Sequence, residues 1–551
     1  GAAGQPAGGG GGAGIGGAAG AGGAAGSPPP VCNLTCAAHQ TCVLQGATPT
    51  CACVTGYQAS GATCVWTPIP KDPGFQNVPA GSWTLEQGAT LNPTAGGNIE
   101  SGELDITKSS LCTSRGRARQ SVTIPPLAQA EPLAIKIASN GDCISSGGPG
   151  GCSGPGTAVV LNGGATVFPY QSLSTIQTAC LGERAYGGTY DLVVRPANRQ
   201  ICPSAASVDI VVDHLDIEPA PTCPAPGSLP DGNFDATPNT WKTSVGTANT
   251  PAPVAEIQAG AGTGATAAAH LQTSNPCQEA RVEELISPPL ASVPNLAVQL
   301  SYKGPVGASV TVEMGGVRVA ALPGTGATVT GKFCLLEGNK GMTQDLLFGM
   351  LLPFGGGGVG CGGINTKDFV LDDLKFVTDT TCPAKAFVAD GGFERTDPAS
   401  AWDSLISNNG VATGVAAVGI DTTAANVHSG SRALKMVNNV GCGYAQATLA
   451  ATIPASAAGA GPALQFFYKA PVLTGSTFTV TAPGATTASL PAAAAYTMGQ
   501  LCLDPTMAGQ TVGVLLNLNG IGTAGCSATY AAETVWLDDF TVTTSASCPA
   551  D

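Results

Sequence analysis

The chain has 551 residues, with 77 Gly, 42 Pro and 20 Cys, and only 11% of them are charged. An ordinary soluble domain carries about 25%. The 36 acidic and 22 basic side chains give −14, which argues against a nucleic-acid partner and against a polybasic membrane contact. The most apolar stretch, Leu346 to Phe354, is broken by Gly349 and Pro353. It falls far short of the roughly 20 residues that cross a bilayer. The glycines keep no three-residue period, so collagen is excluded as well.

An even set of 20 cysteines points to an oxidising compartment. The four His stand apart at 39, 214, 270 and 428 and no CxxC pair accompanies them, so a cytosolic metal protein is disfavoured. The chain starts at Gly1 without an apolar signal core. The expectation is a mature secreted chain, extracellular or at the cell surface, whose export signal has been removed.

Residues 1–30 hold 14 Gly and 9 Ala and close with Ser27-Pro28-Pro29-Pro30. No formally charged residue precedes Lys71. Such a segment builds no core. It reads as a tether, or as an arm that orders only in an assembly.

Residues 31–66 form the next module, with Cys32, Cys36, Cys42, Cys51, Cys53 and Cys64 spaced C-x3-C-x5-C-x8-C-x-C-x10-C. Gly56-Tyr57 and Gly61 stand between the last two cysteines. This spacing resembles the EGF-like domain. The resemblance implies the pairs Cys32–Cys42, Cys36–Cys51 and Cys53–Cys64. Calcium-binding members carry acids just before the first cysteine. Here that stretch is Pro28-Pro29-Pro30-Val31, so no calcium is expected in this module.

The rest is a threefold repeat, over 67–223, 224–382 and 383–551. Cys112, Cys277 and Cys442 hold one equivalent position, and Cys180, Cys334 and Cys502 a second. Cys202, Cys361 and Cys526 hold a third, and Cys223, Cys382 and Cys548 a fourth, each of these followed by Pro-Ala. Cys143 and Cys152 are an extra pair in the first repeat. Each repeat opens with Asp-x-x-Phe and a Trp, at Asp72, Phe75 and Trp83, at Asp231, Phe234 and Trp241, and at Asp390, Phe393 and Trp402. Each closes on a β-rich run, the last being Val535-Trp-Leu-Asp-Asp-Phe540. Period-2 runs broken by Gly, Pro and Asn predict antiparallel strands. The fold class is therefore all-β: a small disulfide-rich module and three tandem antiparallel β-sandwiches, preceded by a Gly/Ala-rich arm.

The opening and closing signatures resemble the galactose-binding-like jelly roll, shared by many carbohydrate-binding modules of glycoside hydrolases. That resemblance implies a structural calcium held by an acid near the first strand and the second Asp of the closing pair. The matching residues are Asp235 with Asp373, and Glu394 with Asp539. In the first repeat Gln76 and His214 stand there instead, so no calcium is expected. The same topology favours Cys112–Cys180, Cys277–Cys334 and Cys442–Cys502, the third cysteine then pairing with the fourth. Four cysteines allow three connectivities.

The motifs of common hydrolases and phosphate-binding enzymes are missing: no GxSxG, no HExxH and no Gly-rich loop ending in Lys-Ser/Thr. His428 and Ser429 are neighbours, and on a strand neighbours face opposite ways. The same objection holds for Asp538 and Asp539 as a glycosidase pair. No enzyme activity is expected. With Ile137, Tyr302 and Tyr468 facing the core, the outward positions are Lys136, Ser301 and Phe467. A glycan is best met by the third repeat, through Phe467 and Tyr444. Two functions follow. The first is a self-associating subunit of a cell-surface fibre or matrix, a homopolymer whose arm contacts a neighbouring copy. The second is a surface-tethered carbohydrate-binding adhesin that meets cell-surface or matrix glycans.

Overall fold

The computed structural model describes residues 32–550 except 47, 55, 77–81, 87, 93–98, 100–101, 109–115, 128–130, 142–156, 169–172, 197–207, 247–251, 275–277, 291–294, 352–365, 409–410, 412, 484, 486, 523–524 and 527. The arm and Cys112, Cys143, Cys152, Cys202, Cys277 and Cys361 lie outside the described residues. The chain divides into two units between Val65 and Trp66.

The first unit is built on two hairpins. Strand β1 (Gln40–Gln45) pairs with β2 (Thr48–Cys53), and β3 (Tyr57–Ser60) with β4 (Thr63–Trp66). Its disulfides are Cys32–Cys42, Cys36–Cys51 and Cys53–Cys64, the order that the EGF-like spacing implies. With few buried side chains, such a unit depends on these bridges.

Among the described residues the second unit holds three antiparallel sandwiches of ten strands each. The first comprises β5 (Thr84–Glu86), β6 (Ala89–Asn92), β7 (Glu103–Lys108), β8 (Arg117–Ile124), β9 (Leu133–Gly141), β10 (Thr157–Leu161), β11 (Gly164–Phe168), β12 (Gln177–Cys180), β13 (Gly188–Pro196) and β14 (Val208–Pro219). The second comprises β15 (Lys242–Gly246), β16 (Val254–Gln258), β17 (Ala268–Thr273), β18 (Glu279–Ile286), β19 (Leu296–Lys303), β20 (Ser309–Met314), β21 (Val317–Pro323), β22 (Thr328–Cys334), β23 (Gln344–Leu351) and β24 (Lys367–Thr378). The third comprises β25 (Trp402–Ser407), β26 (Ala416–Asp421), β27 (Ala433–Val440), β28 (Tyr444–Thr452), β29 (Gly461–Ala470), β30 (Ser476–Thr481), β31 (Ala488–Leu490), β32 (Ala493–Cys502), β33 (Thr511–Gly520) and β34 (Thr529–Ser545). Their sheets run β5-β8-β13-β10-β11 and β6-β7-β14-β9-β12, then β15-β18-β23-β20-β21 and β16-β17-β24-β19-β22, then β25-β28-β33-β30-β31 and β26-β27-β34-β29-β32. Strand for strand the order is the same, as a threefold repeat requires.

The opening signature is a turn that recurs in each sandwich. Phe75, Phe234 and Phe393 have φ of 53°, 58° and 57° and are buried. Each N–H donates to the carbonyl of its Asp, at 3.3, 3.0 and 3.2 Å. The backbone then crosses so close to the closing strand that a Cβ on Gly391 would meet the Phe540 carbonyl at 2.0 Å. Only glycine fits there.

The expected bridges within the repeats are corrected. The second cysteine pairs with the fourth, as Cys180–Cys223, Cys334–Cys382 and Cys502–Cys548. Cys442 pairs with Cys526, the third cysteine, and not with Cys502. The topology explains both. The second cysteine ends an edge strand, and the turn after the closing strand carries the fourth cysteine across to it. Cys442 and Cys526 lie on the β27–β28 and β33–β34 connections, at one end of the sandwich.

The three sandwiches touch pairwise. Glu183 accepts the Leu290 N–H at 2.7 Å, and the Gly341 carbonyl accepts the Arg184 N–H at 2.9 Å. Arg318 pairs with Asp403 at 3.2 Å, and Thr452 Oγ1 accepts the Gly338 N–H at 2.9 Å. Arg195 donates to the Thr506 carbonyl at 3.3 Å, which links the first sandwich to the third.

Candidate functional site

Acids of the opening turn or of the closing run tie down one loop in each repeat. In the second repeat Asp235 accepts the Ala267 N–H at 2.8 Å, and Asp372 accepts the Thr263 N–H at 2.6 Å. In the third, Glu394 accepts from Ser431 N and Oγ and from Arg432 N, at 2.8, 2.7 and 2.9 Å. Asp538 accepts the N–H groups of His428 and Ser429, at 2.9 and 3.1 Å. In the first, Asp213 accepts the Ile99 N–H at 2.7 Å. The carboxylate buried against the loop is thus the first of the closing pair. Asp213, Asp372 and Asp538 are 0%, 3% and 0% exposed. Asp373 and Asp539 instead have φ of 54° and turn outward.

Burial would raise the Glu394 carboxyl, but its bonds from Ser431 and Arg432 outweigh this and hold it low. Burial raises Asp538 despite the N–H groups of Ser429 and His428. Asp539 takes His428 Nδ1 and Ser429 Oγ, each at 2.6 Å. Histidine and serine thus both bond the same carboxylate. Among the described residues no three His, Cys, Asp or Glu side chains converge as a metal ligand set. The oxygens of either expected acid pair are of the hard kind calcium takes, and the ion would have to displace the loop donors that already occupy them.

A second constellation covers the outward face of the sheet β26-β27-β34-β29-β32. On β34, Val535 and Leu537 are buried, so the alternation turns Trp536 outward, where it is half-buried. Its cross-strand partners are Lys435 on β27 and Lys469 on β29, and Lys469 Nζ lies 5.1 Å from the ring centroid. The indole N–H donates to Asp421 Oδ2 at 2.8 Å, and Asn426 Nδ2 donates to the same oxygen at 3.1 Å. Lys469 Nζ donates to the Ala425 carbonyl at 2.8 Å. Burial alone would raise the Asp421 carboxyl. The bonds from Trp536, Thr423 and Asn426 reverse this and hold it far below the usual carboxylate range.

Phe467 stands two residues before Lys469 on β29, half-buried, with the His428 ring stacked on it at 3.8 Å and 13°. Tyr496 of β32 sits edge-on to His428 at 5.2 Å, and its hydroxyl donates to the Asn426 carbonyl at 2.7 Å. Burial, and then the charges of Asp538, Asp421 and Asp539, push that hydroxyl up. The face thus carries a Trp, two other aromatic rings, an imidazole, two ammonium groups and carboxylates on one side of one sheet.

Phe467 faces outward as expected, and so do Lys136 and Ser301, while Ile137, Tyr302 and Tyr468 are buried. Tyr444 does not join Phe467. It starts β28 in the opposite sheet, paired with Ser407 and Asn519. The residue that sequence reasoning missed is Trp536. Its signal was present in the alternation of Val535-Trp-Leu537. The matching positions in the other repeats are Val211 and Val370.

No protein-family model and no curated protein matches the chain. Among solved structures, it is similar to TmCBM61 in complex with β-1,4-galactotriose: 12% identity, TM-score 0.21, covering 29% of this chain and 98% of that one. It is similar to the CBM22-1–CBM22-2 tandem domain of Paenibacillus barcinonensis Xyn10C: 12% identity, TM-score 0.18, covering 56% and 96%. It is also similar to a triple jelly roll protein of an archaeal virus turret: 11% identity, TM-score 0.15, covering 86% and 92%. At such scores the likeness says nothing about ligand or function.

Proposed function

We propose that this is a non-catalytic extracellular protein whose third sandwich binds a glycan across the Trp536 face. The observation that carries the reading is the pairing of Trp536 with Asp421 and Lys469 on the open face of one sheet. An aromatic ring offers the apolar side of a sugar a flat partner, and ionised groups beside it meet the hydroxyls. The seven disulfides among the described residues support an oxidising, extracellular setting. No helix among those residues is long and apolar enough to cross a membrane.

Binding of neutral and acidic polysaccharides to the full chain, read on a glycan array and by calorimetry, tests the proposal. Trp536→Ala is the variant expected to lose it. Self-association through the uncharged arm, as in a fibre or matrix subunit, is a second proposal. It rests on the sequence of residues 1–30, and comparing the full chain with one that starts at Val31 under the electron microscope tests it.

A further inference from the structure

We propose that the Trp536 face selects an anionic glycan, whose carboxylate or sulfate group is received by Lys435. This inference rests on the glycan reading and names its ligand class. Four positions of the outward face form one row across the sheet. Gly419 on β26 pairs with Lys435 on β27, Lys435 with Trp536 on β34, and Trp536 with Lys469 on β29. Each lysine is one strand spacing from the Trp, about 4.8 Å, so the two flank the indole from opposite sides.

The fold does not require this charge. In the second sandwich the same row reads Glu256, His270, Val370 and Lys303. In the first it reads Thr90, Asp105, Val211 and Asn140. Both of those rows carry an acid, and neither carries a Trp. The third row has two lysines and no acid, in a chain whose net charge is −14. The indole and the paired cations thus come together in one sandwich of the three.

The two lysines differ in what they hold. Lys469 Nζ donates to the Ala425 carbonyl and to Asn426 Oδ1, at 2.8 and 3.2 Å. Lys435 is half-buried and, among the described residues, has no hydrogen bond and no ion pair. Asp421, two residues along β26 from Gly419, is not its partner, because Oδ2 accepts from the indole and from Asn426. A Cβ on Gly419 would meet nothing within 4 Å, so the space beside Lys435 is open. An ammonium whose donors are all free bonds most strongly to an ionised acceptor. The indole next to it takes the apolar side of the same sugar.

Calorimetry of the full chain with two matched pairs of polymers tests it. The salt is held at about 0.15 M, which screens exposed charges more than about 8 Å apart. Polygalacturonate against its methyl ester reads a carboxylate, and dextran sulfate against dextran reads a sulfate. The expected result is that one charged polymer binds at least about tenfold tighter than its neutral counterpart. Lys435→Gln should bring the charged polymer down to the affinity of that counterpart, and Lys435→Arg should keep the preference, with melting curves confirming both folds. Equal affinity for charged and neutral polymers would overturn the anionic class and leave the glycan reading standing. A preference that survives Lys435→Gln, or a wild type that binds neither charged polymer, would overturn it as well. A wild type that binds nothing on the wider glycan array would remove the glycan reading with it.

Discussion

The indole N–H of Trp536 and Oδ2 of Asp421 are 2.8 Å apart. That bond fixes the orientation of the only Trp on the outward face of the third sandwich among the described residues. Asp421→Asn keeps the shape and removes the charge. A charge-assisted bond is worth about 1.5–3 kcal/mol, and exposure to solvent reduces it. Glycan affinity should fall about three- to tenfold, and the melting temperature should fall by a few degrees as the stability that the ionised Asp421 contributes is lost. Calorimetry on the variant checks this, and an unchanged affinity would remove Asp421 from the site.

Acidity gives a second handle. The folded Asp421 carboxyl lies below its unfolded value of about 3.9. A group depressed in this way contributes stability above its unfolded value and loses it as pH falls through the folded one. The Trp536–Asp421 bond should therefore persist through pH 5 and 4. Trp fluorescence of the wild type against Asp421→Asn, titrated from pH 7 to about 3, reads it. A wild-type transition near pH 5 absent from the variant would contradict the assignment.

The bridge from Cys502 to Cys548 spans 46 residues. Replacing both cysteines by Ser should cost about 2–5 kcal/mol, read as a lower urea midpoint. Peptide mapping of the unreduced chain should return the Cys180–Cys223, Cys334–Cys382 and Cys502–Cys548 links. Recovery of Cys442 linked to Cys502 would contradict the fold described above.

Calcium is tested separately. The loop at residues 428–432 already holds its carboxylates through N–H and O–H donors. Chelation with EDTA should therefore move the melting temperature by less than about 2 °C, equivalent to under about 1 kcal/mol. A fall of about 10 °C, restored by calcium and lost in Glu394→Gln, would place the ion between Glu394 and Asp539.

Much of the architecture was legible because repetition leaves a mark in every copy. The Asp-x-x-Phe turn marks the opening of all three sandwiches, the closing Leu-Asp-Asp run marks the end of the second and third, and period-2 alternation places Tyr302 and Tyr468 inside. The cysteine partners were not legible, since pairing depends on which strands lie at edges, and spacing does not report that. Tyr444 and Phe467 are each half-buried, yet they sit on opposite sheets, a fact set by strand order. Trp536 stands in a closing run whose marks are its β-rich composition and its Asp pair. Its outward direction follows from Val535 and Leu537 on either side.

The measurement that tests the central claim most directly is glycan binding by the full chain beside Trp536→Ala, with both shown to be folded by their melting curves. The account predicts that the wild type binds at least one polysaccharide class. It predicts that the variant loses at least about tenfold in affinity, near the 1.5 kcal/mol of a stacked ring. A wild type that binds no glycan, or a variant that binds as well as the wild type, would contradict it.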